Sequence, residues 1–259
     1  MTAVTTQHYG EVLVITLNRP KANAVDVATS QALYAAFHAL DQDPALRVGI
    51  ITGTGRFFSA GWDLNPANSG EAVDAVHSPG GFAGLTEYFT LAKPVIAAVN
   101  GLAVGGGFEL ALAADLIVAS DTAQFWLPEA QLGILPDSGG LLRLPKCLPE
   151  RLATEMIYTG RRLSAAEALQ FGLVSRACPG EDLLDCALDL AIAIAASAPL
   201  AIAAAKDIIR ATRDLEVEAS FAAMRSGAIP SYQHALQSED ASEGSLAFAE
   251  GRPPRWQGR

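Results

Sequence analysis

Apolar runs alternate with segments of helical periodicity along the first two thirds of the chain. Four runs are almost continuously apolar, at residues 12–17, 48–52, 95–99 and 116–119. Such runs are typical of strands that are buried on both faces of a sheet. Leu33, Phe37 and Leu40 recur at helical spacing, which predicts a helix that ends at Leu40. Either Asp26 or Thr29 is a suitable cap for its start. The order of these elements predicts an α/β core of repeated strand–strand–helix units.

The last third of the chain has a different, mainly helical character. Ser164 and Glu167 have the spacing of a capping box at a helix start. Segments 181–197, 199–213 and 215–226 are rich in Ala and Leu and predict helices. We therefore divide the chain into a core over residues 1–195, which carries the candidate chemistry, and a helical region over residues 196–259. Within the core, residues 65–81 are rich in Gly, Pro, Ala, Asp and Ser, which predicts a mobile loop near an entrance.

Composition and charge narrow the possible function classes. The 259 residues carry a net charge of −10, and no basic run predicts binding to nucleic acid. The three cysteines form no CxxC pair, which favours a reducing cytoplasmic location over a disulfide scaffold. The four histidines lack metal-site spacing, so we expect no metal. The first residues lack a secretion-signal pattern, and no apolar run is long enough to cross a bilayer, so we expect no membrane partner.

A glycine run opens the most informative stretch of the sequence. Gly105 to Gly107 precede an apolar helix that carries Glu109 in its first turns. The free N–H groups and the positive dipole end of a helix start suit an oxyanion. Glycines also suit a tight packing turn between a strand and a helix, and the glycines alone favour this second interpretation.

Three further residues make the chemistry more specific. Trp62 follows Gly61 in a small-residue turn, so its N–H is a candidate second donor, although an ordinary turn has the same sequence. Glu129 lies in an apolar stretch, where an unpaired carboxylate is costly. A second carboxylate across an apolar cavity can have a raised pKa and carry a proton. Asp137 is a third candidate acid, or else a helix cap or turn residue.

Together these motifs resemble the crotonase family, also called the enoyl-CoA hydratase/isomerase family. The resemblance covers nearly the whole chain and is carried by residues 17–24, 58–63, 93–101, 105–109, 128–129, 139–145, 158–161 and 238–250. It implies a spiral of ββα units and a helical C-terminal region that assembles homotrimers and often hexamers. It also implies an acyl-CoA thioester as substrate, with no cofactor besides the CoA of that thioester.

The resemblance also implies roles for particular residues. The oxyanion hole falls on the N–H groups of Trp62 and Gly106, and the acid/base pair falls on Glu109 and Glu129. The segments that bind CoA and substrate contain Ala22, Ala24, Ala60, Asp63 and Leu64. Many relatives lack one or both glutamates, so the presence of both favours hydration or dehydration over isomerisation.

A finer resemblance concerns the acyl group. Residues 57–64, 80–87, 135–140 and 253–259 are similar to the branch of the family that interconverts carnitinyl-CoA and crotonobetainyl-CoA. Asp137 stands where ordinary hydratases usually have glycine. Gly251 stands where relatives often have lysine, which leaves a contact to the CoA phosphates open. Aromatic faces bind trimethylammonium groups, and we hypothesise that Trp62 or Trp126 does so here.

Two other classes of function remain open for this sequence: a different reaction of the same family, and binding without catalysis. The chain is alternatively an enoyl-CoA hydratase of general acyl chains, or an isomerase or thioester hydrolase in which Asp137 takes part. A non-catalytic acyl-CoA-binding protein on the same fold is the alternative from another class, because a fold does not guarantee an activity.

Overall fold

The computed structural model describes residues 2–64 and 76–259. Ten strands lie in this part of the chain: β1 (Val4–Tyr9), β2 (Val12–Leu17), β3 (Val48–Gly53), β4 (Phe57–Ser59), β5 (Val95–Val99), β6 (Leu102–Val104), β7 (Leu116–Ser120), β8 (Gln124–Trp126), β9 (Leu163–Ser164) and β10 (Arg176–Cys178). Its α-helices are α1 (Val27–Gln42), α2 (Gly106–Ala113), α3 (Gly140–Cys147), α4 (Glu150–Thr159), α5 (Ala165–Gln170), α6 (Leu183–Ala195), α7 (Pro199–Thr212), α8 (Val217–Arg225), α9 (Pro230–Gln237) and α10 (Glu239–Glu250). Short 3₁₀ turns cover Phe82–Gly84, Glu129–Leu132 and Gly180–Asp182.

The strands form two sheets, and in each repeat the chain passes from the larger sheet to the smaller one. The larger sheet has the order β1-β2-β3-β5-β7-β10, and the smaller has the order β4-β6-β8-β9. Each of the pairs β3–β4, β5–β6 and β7–β8 therefore sends its first strand to the large sheet and its second to the small one. All pairings are parallel except β1 with β2 and β8 with β9. This topology confirms the predicted repeat of strand, strand and helix.

The inner strands of the large sheet, β2, β3, β5 and β7, are buried on both faces, as the continuous apolar runs predict. Along β2, the side chains of Leu13, Ile15 and Leu17 belong to the main core, which also contains α1 and the small sheet. Val12 and Val14 point to the other face, where they join a second cluster under α6. Since successive side chains of a strand alternate between faces, both faces need apolar residues.

Local capping accounts for the start of two predicted helices. Asp26 caps α1, since its Oδ1 accepts a hydrogen bond of 2.7 Å from the Thr29 N–H. Ser164 and Glu167 form the predicted capping box of α5, with each side chain bound to the other residue's backbone N–H. These bonds satisfy N–H groups that have no partner within the helix.

The C-terminal helices form a layer with little core of its own. The segments predicted as helices correspond to α6, α7 and α8. Neither α8 nor α9 contains a buried residue, and large apolar side chains are exposed on this layer, with Phe248 of α10 at 89%. Asp240 ties the chain end to α10 by accepting from the backbone N–H groups of Gln257 and Gly258. The predicted boundary near residue 195 falls between α6 and α7, and the division into two regions stays a prediction.

Two apolar helices of the described chain form one bent pair. Within the described chain, no single helix is long and apolar enough to cross a bilayer. Gly180–Ala195 and Pro199–Thr212 pass a test of length and composition only as a pair, and they are bent by 103°.

Candidate active site

The glycine run packs directly against the second carboxylate. Gly105 ends the connection from β6 with a φ of +53°, a conformation that favours glycine, and α2 begins at the next residue. A Cβ atom added at Gly105 would lie 2.5 Å from Glu129 Oε1. The Gly105 carbonyl accepts from the N–H groups of Phe108 and Glu109, which leaves the Gly106 N–H at the first helical position, outside the intrahelical ladder. Both predictions for the glycine run therefore hold: it forms a close packing turn, and it opens a helix whose first N–H groups have no partner within the helix.

The small-residue turn around Trp62 rests on this helix start. Gly61 has a φ of +80°, and a Cβ atom added there would lie 2.7 Å from the Gly106 backbone nitrogen. Trp62 forms a parallel bridge with Val25, in which the Val25 N–H donates to the Gly61 carbonyl and the Asp63 N–H donates to the Val25 carbonyl. The N–H of Trp62 itself therefore points away from Val25. The backbone segments that carry the Trp62 and Gly106 N–H groups are thus in contact.

Glu109 is a buried acid on α2. Its side chain is 3% exposed, and its Oε1 accepts a hydrogen bond of 2.7 Å from the Gly140 N–H. Burial raises the pKa of Glu109 to about 8. The Gly140 bond and the Arg143 charge act against this rise in pKa, while the charges of Glu129 and Asp137 add to it.

Glu129 opens the 3₁₀ turn that follows β8. The residue is 7% exposed, and burial together with the charge of Asp137 raises its pKa to about 7. Its Oε2 is buried and has no hydrogen-bond partner among the described residues. An orphaned polar atom in the interior is costly, so Glu129 Oε2 is a candidate to bind a ligand atom.

Asp137 lies in the turn that joins the two glutamates. Its side chain is exposed, whereas the neighbouring Pro136 is buried. The Ile134 N–H donates to the carbonyl of Glu129, and six residues later the Gly140 N–H donates to the side chain of Glu109. The negative charge of Asp137 is a cause of the raised pKa of both glutamates, so its carboxylate lies within electrostatic reach of both.

Arg143 was not predicted as a site residue from the sequence. Its Nη2 donates to the carbonyl of Thr86 at 2.6 Å, and its charge lowers the pKa of Glu109. The side chain stands one turn into α3, after Gly140. The available sequence signal was that Arg143 follows the pair Gly139 and Gly140 within a segment that carries the family resemblance.

The residues predicted to bind CoA and substrate lie along one edge of the site. The Ala60 N–H donates to the Ala22 carbonyl at 2.9 Å, so the two segments run side by side. Asp63 pairs with Arg19 at 2.7 Å, and the same guanidinium donates to the Ala24 carbonyl at 2.8 Å. Leu64 is 54% exposed.

Arg19 holds this edge together, and sequence reasoning missed it. Its guanidinium also pairs with Asp26, the cap of α1, at 2.8 Å. It therefore joins the end of β2, the segment before α1 and the turn after Trp62. Arg19 lies in the segment over residues 17–24 that carries the family resemblance, but no role was predicted for it.

The two tryptophans have different surroundings. The guanidinium carbon of Arg162 lies 4.3 Å from the centre of the Trp126 ring, so one face of that ring already carries a cation. The Nε1 of Trp62 is buried and has no hydrogen-bond partner among the described residues. Trp62 thus has an unused hydrogen-bond donor, and its side chain packs against the main core.

Part of the predicted loop over residues 65–81 lies outside the described residues, namely 65–75. The following segment is hydrogen-bonded: His77 Nδ1 lies 3.0 Å from Ser30 Oγ, and Ser78 Oγ donates to the Gly81 carbonyl. Phe82 then packs beside Gly106, where an added Cβ atom would lie 2.7 Å from its ring.

Over residues 2–64 and 76–259, no group of three or more His, Cys, Asp or Glu side chains is arranged to hold a metal ion.

Comparisons with known proteins found relatives over nearly the whole chain. A family model described as enoyl-CoA hydratase/isomerase matches residues 7–259. Carnitinyl-CoA dehydratases of Salmonella arizonae and Proteus mirabilis are 60% and 59% identical to this chain, over 96% of the chain and 96% of each relative. Crystal structures of enoyl-CoA hydratases from Mycobacterium tuberculosis H37Rv and Mycobacterium marinum have TM-scores of 0.90 and 0.91 at 43% and 44% identity, with 99% of both chains covered. The predicted crotonase-like fold is confirmed.

Proposed function

The chain belongs to the enoyl-CoA hydratase/isomerase family as a hydro-lyase, and we propose that it adds water to, and removes water from, an α,β-unsaturated acyl-CoA. The observation that carries this proposal is the pair of buried glutamates. Glu109 and Glu129 both have raised pKa values. Glu129 packs against Gly105, and Glu109 lies in the first turn of the helix that follows Gly105. Carboxyl groups with pKa values near neutrality exchange protons readily at physiological pH.

The proposed oxyanion hole consists of the Trp62 and Gly106 N–H groups. These donors bind the thioester oxygen, on which negative charge develops in the enolate. Each donor of this kind is typically worth about 3 kcal/mol of transition-state stabilisation. The contact between Gly61 and the Gly106 nitrogen supports this assignment, because it keeps the two segments at a fixed separation.

The two glutamates exchange protons with the substrate in opposite senses. In hydration, Glu109 takes a proton from water while the water oxygen bonds to the β-carbon. The electron pair of the double bond moves toward the thioester oxygen, and Glu129 then gives a proton to the α-carbon. In dehydration, Glu129 removes the α-proton and Glu109 protonates the departing hydroxyl. The two groups titrate as a pair, so measured pKa values belong to both.

The raised pKa values favour a resting pair that holds one proton. The pKa of Glu109 is raised to about 8 and that of Glu129 to about 7. Between these values, the two coupled carboxyl groups share one proton. Dehydration uses the form in which Glu109 is protonated and Glu129 is ionised, and hydration uses the form in which the proton is on Glu129.

For the acyl group we propose carnitinyl-CoA and its dehydration product, crotonobetainyl-CoA. The similarity to proteins named carnitinyl-CoA dehydratase supports this choice. Trp62 is the better of the two predicted tryptophans as an aromatic wall for the trimethylammonium group, because Arg162 already covers a face of Trp126. A Trp62→Ala variant that kept the wild-type preference for crotonobetainyl-CoA over crotonyl-CoA would contradict this role, and Trp126→Ala is the matched control.

The remaining assignments concern CoA and assembly. The predicted segments with Ala22, Ala24 and Ala60 bind the CoA part of the substrate, and no other cofactor is needed. A homotrimer, or a hexamer made of two trimers, covers the apolar side chains exposed on α7 to α10, such as Phe248. A cytoplasmic location stays a prediction.

Product analysis on a panel of acyl-CoA esters tests the proposed function. We expect crotonobetainyl-CoA to give carnitinyl-CoA, with a smaller kcat/KM for crotonyl-CoA. A product with a shifted double bond would support an isomerase, and release of free CoA would support a thioester hydrolase. Tight binding of every ester without any turnover would support a non-catalytic binding protein.

A further inference from the structure

The turn that carries Asp137 is fixed at both ends against the proposed acid/base pair. Its first part is held by the bond from the Ile134 N–H to the Glu129 carbonyl, at 3.1 Å. Its last part is held by the bond from the Gly140 N–H to the Glu109 side chain, at 2.7 Å. Between these anchors the Asp137 side chain is exposed, so its backbone position is defined while its carboxylate faces open space.

The charge at this turn is not balanced on the side of Glu129. The carboxylate of Asp137 raises the pKa of both glutamates. Arg143 offsets part of this effect at Glu109, whereas neither Glu129 nor Asp137 forms an ion pair with any of the described residues. Glu129 Oε2 is also buried without a hydrogen-bond partner. An excess of negative charge beside an orphaned carboxylate oxygen suits a positively charged ligand.

The chemistry of the proposed substrate brings a cation to this place. In a carnitinyl group the nitrogen is attached to the carbon next to the β-carbon, so it lies two bonds from the atom that gains or loses the hydroxyl. Since the glutamates act at the α- and β-carbons, the ammonium group must lie beside them. A quaternary ammonium has no N–H to donate, so the protein recognises it through negative charge and aromatic faces.

We infer that Asp137 is the counter-ion of a cationic acyl group and sets the preference of the enzyme for cationic over neutral acyl-CoA esters. This inference rests on the proposed function and names the residue that selects its substrate. Asp137 contributes charge rather than a proton in this role. Its exposed position suits a group that must accommodate a bulky trimethylammonium head.

The test compares two substrates in Asp137→Asn, which keeps the side-chain shape and removes the charge. The measured quantity is the ratio of kcat/KM for crotonobetainyl-CoA to that for crotonyl-CoA, because effects on the shared chemistry cancel in a ratio. We expect the ratio to fall by about tenfold, which equals about 1.4 kcal/mol. Asp189→Asn, an exposed residue of α6, changes the net charge equally and should leave the ratio unchanged.

Two further measurements separate charge from structure. Asp137→Glu restores the charge and should restore most of the preference. Raising the salt concentration from about 0.05 to 0.5 M should lower the ratio in the wild type, because salt screens a partly exposed pair, and should change it little in Asp137→Asn.

The possible outcomes are distinct. An unchanged ratio in Asp137→Asn would overturn the counter-ion role and leave the proposed function intact. Parallel loss of both kcat/KM values would also overturn it and would assign Asp137 to proton transfer. A wild type that hydrates crotonyl-CoA but not crotonobetainyl-CoA would overturn the proposed substrate, and the inference with it.

Discussion

Glu109→Gln should stabilise the protein at high pH while it destroys activity. Burial raises the folded-state pKa of Glu109 to about 8 from its ordinary value of 4.5. A carboxyl group with a raised folded pKa leaves the folded state most stable below the unfolded pKa, and this stability is lost as the pH rises towards the folded value. Above pH 8 the folded protein must hold a buried charge that glutamine does not carry.

The expected size follows from the pKa shift. A shift from 4.5 to about 8 corresponds to an upper limit of about 5 kcal/mol. Glutamine keeps an oxygen for the Gly140 N–H but must bury a new NH₂ group, a cost that is the same at every pH. Because the unfolded carboxyl group is already mostly ionised at pH 5, we expect the free energy of unfolding of Glu109→Gln, relative to the wild type, to rise by about 3–4 kcal/mol between pH 5 and pH 9.

Urea denaturation at fixed protein concentration measures this difference, since assembly makes stability concentration-dependent. Glu181→Gln, an exposed residue of the Gly180–Asp182 turn, is the matched control and should show no such pH dependence. A difference between Glu109→Gln and the wild type that is equal at both pH values, or that favours the wild type at pH 9, would refute the reasoning.

Three further predictions follow from the same structure. Gly106→Ala should lower kcat by about 10²-fold, because the added Cβ lies 2.7 Å from the Phe82 ring and displaces an oxyanion donor; a kcat within twofold of the wild type would contradict that role. The kcat/KM for dehydration should follow a bell-shaped pH profile with limbs near 7 and 8, since Glu129 must be ionised and Glu109 protonated; a flat profile over this range would contradict the assignment. Phe248→Glu should lower the sedimentation coefficient if its 89% exposed ring lies in a subunit interface, and an unchanged coefficient would place the interface elsewhere.

Local patterns predicted the fold well because burial dominates its strands. The run at residues 12–17 corresponds to β2, whose side chains are apolar on both faces since a core lies on each side. The helix predicted to end at Leu40 is α1, which continues to Gln42. The glycine run was ambiguous for a physical reason, since Gly105 is needed both for its positive φ and for the approach of Glu129.

Long-range pairing accounts for what the sequence did not predict. Arg19 meets Asp63 only after β2 and β3 have paired and the chain has turned back, so no local spacing links the two residues. Trp126 lies under Arg162 because β8 and β9 pair in antiparallel register. The exposure of Asp137 depends on how the turn closes on both glutamates, which a proline–aspartate–serine string does not specify.

Isotope incorporation during hydration of crotonobetainyl-CoA tests the central claim most directly. In D₂O enriched in ¹⁸O, the wild type should form carnitinyl-CoA with one deuterium at the α-carbon and ¹⁸O in the β-hydroxyl, as read by mass spectrometry. Glu109→Gln and Glu129→Gln should form this product at a small fraction of the wild-type rate. Wild-type-like turnover in both variants, or a product without the α-deuterium, would contradict a two-glutamate addition of water.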